Sequence, residues 1–85
     1  MNYSEKMGMA LKEIEAEVNK AKSIHKNNFY NGHEGYAVIL EELDELWDEI
    51  KINPSKESYS LYKQRLEAKQ VAAMCVRFMV ELTEK

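Results

Sequence analysis

The chain contains few residues that interrupt or cross-link a fold. One cysteine, one proline and three glycines occur among its 85 residues. A single cysteine excludes both an internal disulfide and a multi-cysteine zinc site within one chain, and the scarcity of Gly and Pro limits the number of turns. The frequent Leu, Met, Ala, Glu and Lys residues favour helix over strand. We therefore predict an all-α protein.

Long apolar runs and an excess of basic charge are also missing. No stretch approaches the roughly 20 apolar residues that a membrane span requires, and the first residues have no apolar core behind a basic start. The net charge is −3 and the isoelectric point is about 5.4, whereas nucleic-acid binding needs a basic face. We expect a soluble, cytoplasmic protein that binds neither membranes nor nucleic acid.

The length of the chain and its apolar spacing predict the architecture. Residues 1–85 form one domain, and a domain this small leaves much of its surface exposed as a monomer. The apolar stripe of the third predicted helix is wide, which predicts burial within the chain and against another copy. We expect antiparallel helices that assemble into four-helix-type bundles as a homodimer or homotetramer. The three helices are predicted over residues 4–27, 34–51 and 55–82.

Single residues carry further structural expectations. Ser4 is the predicted N-cap of the first helix, and Asn53-Pro54-Ser55 forms the turn that starts the third. Cys75 lies in an apolar run and is expected to be buried. Arg77 is expected on the surface. The aromatic residues are expected to pack against the bundle or at the dimer interface; they are Phe29, Tyr30, Tyr36 and Trp47.

The acidic residues are concentrated in one segment. Six of the nine residues 41–49 carry carboxylates, and residues 32–52 contain seven acids against one base. The remainder of the chain has a net positive charge. A local excess of carboxylates is best explained by a local cation.

The spacing of these acids indicates how a cation could be held. Glu42 and Glu45 are three residues apart on one face of the second predicted helix. On the third helix, Glu67 and Gln70 repeat this spacing at the head of a core stripe, where a carboxylate needs a partner. If these helices are antiparallel neighbours, three carboxylates and one amide oxygen converge, a ligand set that suits Mg²⁺ or Mn²⁺. A solvated acidic face is the alternative explanation of the same spacing.

The sequence around these residues resembles that of a known protein family. The box Glu41-Glu42-x-x-Glu45, followed on the next helix by Glu67, resembles the MazG-like all-α nucleoside triphosphate pyrophosphohydrolases. The pattern of that family is a Glu-Glu-x-x-Glu box and then Glu-x-x-Asp. The resemblance covers about residues 33–82, and it is strongest for the small phage and bacterial MazG-like proteins.

The resemblance implies a function and roles for particular residues. Members of the family use Mg²⁺ to cleave a nucleoside triphosphate to the monophosphate and pyrophosphate, and they act as dimers or tetramers. A role in orienting or deprotonating water is implied for Glu41. Metal ligation is implied for Glu42, Glu45, Glu67 and Gln70.

Gln70 departs from the family pattern, which has aspartate at that position. An amide oxygen can coordinate a metal but has no formal charge, so weaker metal binding is expected, and Glu49 could compensate. Two other functions stay compatible with the sequence. One is a non-catalytic helical oligomer or interaction module with a weakened metal site. The other is a phosphohydrolase that acts on another phosphorylated small molecule.

Overall fold

The computed structural model describes residues 1–84, and within them the chain is helical with no strand. The all-α prediction is confirmed. No helix in this part of the chain combines the length and the apolar character needed to cross a membrane. The elements are α1 (Tyr3–Ile24), α2 (Gly32–Ile50), α3 (Leu61–Phe78) and a π-helical turn (Met79–Thr83).

Each α-helix begins at a polar side chain that caps it. Asn2 accepts a hydrogen bond from the backbone N–H of Glu5, and the Glu5 carboxylate accepts one from the backbone N–H of Asn2. This capping box places the start of α1 ahead of Ser4, so the predicted cap is wrong. Asn31 and Ser60 cap α2 and α3 through the same kind of bond.

The third helix begins later than predicted. Residues 51–60 form an irregular connection, and α3 starts only after Ser60. The Asn53 side chain accepts hydrogen bonds from both the backbone N–H and the hydroxyl of Ser55, each 2.9 Å long. Since these polar groups satisfy one another in a local turn, they do not cap a helix.

α3 is the central helix, and α2 packs against it in the antiparallel direction. Gly35, near the start of α2, lies against Phe78 and Leu82 at the end of α3 and just beyond it. A Cβ atom at position 35 would lie 2.7 Å from the Phe78 ring, so only glycine permits this approach. The close contact at this end aligns α2 with α3 along their length.

α1 packs on another side of α3 and runs parallel to it. Glu13 forms an ion pair with Arg65, and Glu17 lies 3.7 Å from Lys69 one turn further along both helices. The small core lies where the end of α1, the connection after it and α3 meet. Its buried apolar residues are Ala21, Phe29, Ala73 and Met74.

The apolar stripe of α3 divides into an inner and an outer row. Met74 is 6% exposed and faces the core, with Phe78 packed beside it. Cys75 is exposed, and Met79 is 60% exposed. The predicted burial of Cys75 is therefore wrong. The inner row, which includes Met74, contacts α2, and Cys75 points about 100° away from Met74 because adjacent residues of a helix are separated by that angle.

A buried charge cluster fixes the connection between α1 and α2. Arg77 is only 5% exposed, donates a 2.8 Å hydrogen bond to Glu81, and stacks on the Phe29 ring at 4.3 Å. Glu81 also accepts a bond from the backbone N–H of Phe29 and lies 3.3 Å from Lys22. Arg77 is therefore not the surface cation that the sequence predicted. Phe29 is buried as expected, whereas Tyr30 is exposed.

Candidate metal centre

α2 and α3 bring three of the four predicted metal ligands together. Carboxylate oxygens of Glu42, Glu45 and Glu67 lie within 4.8 Å of one another. Glu42 and Glu45 are on successive turns of α2, and Glu67 approaches from the antiparallel helix α3. Glu42 and Glu67 are half-buried, whereas Glu45 is exposed. The three residues are called the carboxylate cluster below.

The electrostatics of the carboxylate cluster are those of negative charges crowded together without full hydration. Burial raises the pKa of Glu42 to about 7, and the negative charges of Glu45, Glu67 and Glu41 add to the effect. Burial also raises the pKa of Glu67, with further contributions from Glu45 and Glu49. Without a cation, Glu42 therefore retains a proton near neutral pH that an ordinary carboxylate loses.

No lysine or arginine within residues 1–84 forms an ion pair with a member of the carboxylate cluster. The nearby Lys69 is directed to Glu17 on α1 instead. Buried or half-buried carboxylates are normally paired or bound to a metal. The cluster is thus left with an excess of negative charge that an external cation can neutralise.

Glu49 extends the carboxylate cluster by one turn of α2. Its Oε1 atom is buried and, in the part of the chain that the structure describes, has no hydrogen-bond partner. A buried carboxylate oxygen without a partner is costly. Because Glu49 also raises the pKa of Glu67, its charge lies close enough to act on the cluster. The sequence placed Glu49 one turn beyond Glu45 on the same face of the helix and gave it a compensating role.

The other predicted site residues lie at the edges of the carboxylate cluster. Gln70 is half-buried and one turn along α3 from Glu67, so its amide is on the same face of the helix. Glu41 is exposed beside Glu42. Ligation by Gln70 and water activation by Glu41 stay predictions. Asp44 and Asp48 are exposed on the outer surface of α2, as expected for solvated charges.

The two aromatic residues of α2 are exposed on another face of that helix. Tyr36 is 64% exposed and Trp47 is 58% exposed. The prediction that these side chains pack in the core of a single chain is therefore wrong for both residues. Their packing at an interface stays a prediction.

Comparisons with models of known protein families, with curated proteins and with solved structures find no match to this chain. The resemblance of the residue pattern to the MazG-like group therefore stands on the two boxes alone. The functional argument below depends on the geometry and charge of the carboxylate cluster.

Proposed function

We propose that this chain is a divalent-metal-dependent nucleoside triphosphate pyrophosphohydrolase that releases a nucleoside monophosphate and pyrophosphate. The observation that carries the proposal is the convergence of Glu42, Glu45 and Glu67 within 4.8 Å without a lysine or arginine partner among residues 1–84. The residue pattern supports the class of reaction, and the geometry supports the metal dependence.

The donor set fits Mg²⁺, with Mn²⁺ as a second possibility. All three carboxylates offer hard oxygen ligands, and the buried, unpartnered Oε1 atom of Glu49 fits a site that gains a positive charge. Glu42, Glu45 and Glu67 would hold the ion, with the amide oxygen of Gln70 as a neutral fourth ligand. When bound, the ion would neutralise negative charge on the phosphate oxygens.

The side chains have separate roles in the proposed reaction. Glu41 is exposed at the edge of the cluster and accepts a proton from the water that attacks phosphorus, as a general base. The water oxygen forms a bond to the α-phosphorus as the bond from that phosphorus to the α–β bridging oxygen breaks, so the bridging oxygen departs with pyrophosphate and the nucleoside monophosphate remains. Gln70 is neutral, whereas the family pattern has aspartate at this position. The site therefore has less negative charge and binds the divalent ion more weakly than a site with aspartate would. The proposed assembly is a homodimer or homotetramer.

The test is release of pyrophosphate from a panel of canonical and modified nucleoside triphosphates, with Mg²⁺, with Mn²⁺ and with EDTA. We expect metal-dependent release that is lost in Glu42→Gln and in Glu45→Gln. Asp44→Asn is the matched control, since it removes one charge from an exposed position of the same helix. Release that does not exceed the level of the Glu42→Gln and Glu45→Gln variants would contradict the enzyme proposal.

The same assay distinguishes the alternatives. Orthophosphate without pyrophosphate indicates a phosphohydrolase of another phosphorylated small molecule. Binding of Mg²⁺ in calorimetry without turnover of any triphosphate indicates a non-catalytic helical module.

A further inference from the structure

The carboxylate cluster has few basic residues near it, and most of these already have partners. α2 contains no lysine or arginine, and α3 contains four basic residues. Three of them form ion pairs: Arg65 with Glu13, Lys69 with Glu17, and Arg77 with Glu81. The fourth, Lys63, is exposed and has no ion pair within residues 1–84. Its positive charge is therefore not satisfied by a carboxylate in that part of the chain.

Lys63 lies on the face of α3 that carries the cluster. It precedes Glu67 by four residues and Gln70 by seven, so the three side chains emerge from one face of the helix. The axial distance from Lys63 to Glu67 is about 6 Å. Because helical side chains lean toward the start of their helix, the Lys63 ammonium extends beyond the cluster, toward the start of α3.

Lys63 does not neutralise the cluster from within the chain. The two helices are antiparallel and Glu45 lies beside Glu67, so Glu49 lies at about the same level as Lys63. In the described part of the chain, the buried Oε1 atom of Glu49 nevertheless has no hydrogen-bond partner. Burial and the charges of Glu45 and Glu49 raise the pKa of Glu67, and no ion pair with Lys63 offsets them. The ammonium is thus left for an anion from outside the chain.

Lys63 and Glu41 lie at opposite ends of the cluster. Because Glu45 lies beside Glu67 in an antiparallel pair, Glu41 lies at about the level of Val71 on α3. Val71 and Lys63 are eight positions apart, which is about 12 Å along the helix axis. The carboxylate cluster occupies the interval between these two ends.

We propose that Lys63 binds the pyrophosphate group that leaves in the reaction, an assignment that rests on the proposed function. The attacking and leaving oxygens of a phosphoryl transfer are roughly in line through the phosphorus. Since Glu41 receives the proton of the attacking water at one end of the cluster, the leaving oxygen points toward the other end. Lys63 is the basic residue at that end.

The charge balance of the reaction explains what the lysine contributes. The water oxygen bonds to the α-phosphorus, and a water proton passes to Glu41. The bond from that phosphorus to the α–β bridging oxygen breaks, and its electron pair stays on the bridging oxygen. The Lys63 ammonium donates hydrogen bonds to the departing pyrophosphate and offsets part of its growing negative charge.

The assignment also defines the class of substrate. A nucleoside triphosphate has two phosphates beyond the bond that breaks, whereas a nucleoside diphosphate has one. Lys63 is about 6 Å from Glu67 along the helix, so the longer phosphate chain reaches it better. Lys63 therefore favours triphosphates over diphosphates.

Titration calorimetry with inorganic pyrophosphate in the presence of Mg²⁺ tests the contact without turnover. Lys63→Met should weaken pyrophosphate binding at least about tenfold, which corresponds to the loss of a charge-assisted hydrogen bond. Binding of a nucleoside monophosphate should change less than about threefold, and Lys63→Arg should keep most of the pyrophosphate affinity because it keeps the charge. Lys12→Met is the matched control, since Lys12 is also exposed and has no ion pair within residues 1–84.

The affinity for Mg²⁺ alone separates this contact from a structural role. Removal of a positive charge beside carboxylates strengthens their attraction for a cation or leaves it unchanged. Lys63→Met should therefore bind Mg²⁺ at least as tightly as the wild type. Circular dichroism should show an unchanged helical fold, because the Lys63 side chain is exposed.

Steady-state kinetics provide a second readout. With a nucleoside triphosphate, Lys63→Met should lower kcat/KM at least about tenfold. With the matching diphosphate the loss should be smaller, and inhibition by the product pyrophosphate should weaken by the same factor as its binding.

The results that overturn the assignment differ from those that contradict the enzyme proposal. Pyrophosphate release by the wild type that is unchanged in Lys63→Met overturns the role of Lys63 and leaves the enzyme proposal standing. Equal losses in Lys63→Met and Lys12→Met, or equal losses for pyrophosphate and the monophosphate, also overturn it. So does a wild-type protein that binds no pyrophosphate at about 1 mM with Mg²⁺. Pyrophosphate binding that depends on Lys63, without turnover of any triphosphate, supports the anion contact and contradicts the enzyme proposal.

Discussion

Replacing Glu42 by glutamine is expected to stabilise the metal-free protein and to reduce the pH dependence of its stability. Burial, together with Glu45, raises the pKa of Glu42 from 4.5 to about 7 in the folded state. The folded protein therefore holds a proton that the unfolded chain releases as the pH rises through this interval. Above pH 7 both states are deprotonated, and the full destabilisation is present.

The magnitude follows from the two pKa values. The interval from 4.5 to about 7 corresponds to about 3 kcal/mol. Because the cluster is only half-buried, screening by solvent reduces the expected gain of Glu42→Gln to about 2 kcal/mol. For a domain of this size, that gain raises the Tm by about 10 °C.

The assay is chemical and thermal denaturation in EDTA, followed by far-ultraviolet circular dichroism at about pH 5 and about pH 8. Protein concentration is held equal, because self-association also changes apparent stability. We expect the wild type to lose stability between these two pH values and Glu42→Gln to lose less, because Glu67 keeps its raised pKa in that variant. Asp44→Asn, an exposed control on the same helix, should match the wild type within about 0.5 kcal/mol. A Glu42→Gln protein no more stable than wild type at the higher pH would refute the reasoning.

Three substitutions test other parts of the structure. Gln70→Asp should strengthen Mg²⁺ binding about tenfold by adding a charged ligand, and an unchanged affinity in titration calorimetry would show that Gln70 is not a ligand. Arg77→Ala should lower the free energy of unfolding by about 3 kcal/mol because it leaves Glu81 buried with less compensation; a loss below 1 kcal/mol in urea denaturation would contradict the role of this pair. Gly35→Ala should cost about 2 kcal/mol because its Cβ atom would lie 2.7 Å from the Phe78 ring, and Phe78→Leu should restore part of the loss in the double variant.

The sequence was informative where a feature depends on local spacing. The apolar period predicted all three helices, and the interval between Glu42 and Glu45 placed both residues on one face of α2. The helix starts were less well predicted, because several polar residues near each start can act as caps. At α1 the missed signal was the spacing of Asn2 and Glu5, which is that of a capping box. At α3, Ser60 caps the helix, whereas the Ser55 hydroxyl is bonded to Asn53.

The remaining differences arise from contacts between distant segments. Cys75 and Met74 are neighbours in the same apolar run, and the approach of α2 at Gly35 determines which of them is buried. The spacing of four residues between Arg77 and Glu81 was a local signal of their ion pair. Its burial, however, depends on Phe29 folding back from the connection after α1. Tertiary contacts of this kind override helical periodicity alone.

The attachment of α1 to α3 divides the molecule into parts of unequal stability. In the first half of α1, the side chains of Met7 and Leu11 are each about 50% exposed. This part of the helix is joined to α3 by the exposed ion pair between Glu13 and Arg65. The last turns are anchored more firmly, since Ala21 is buried in the core. Exposed ion pairs weaken with ionic strength, whereas buried apolar contacts do not. α1 should therefore open from its first turn toward its last, and amide hydrogen exchange there should accelerate with salt while α2 and α3 stay protected.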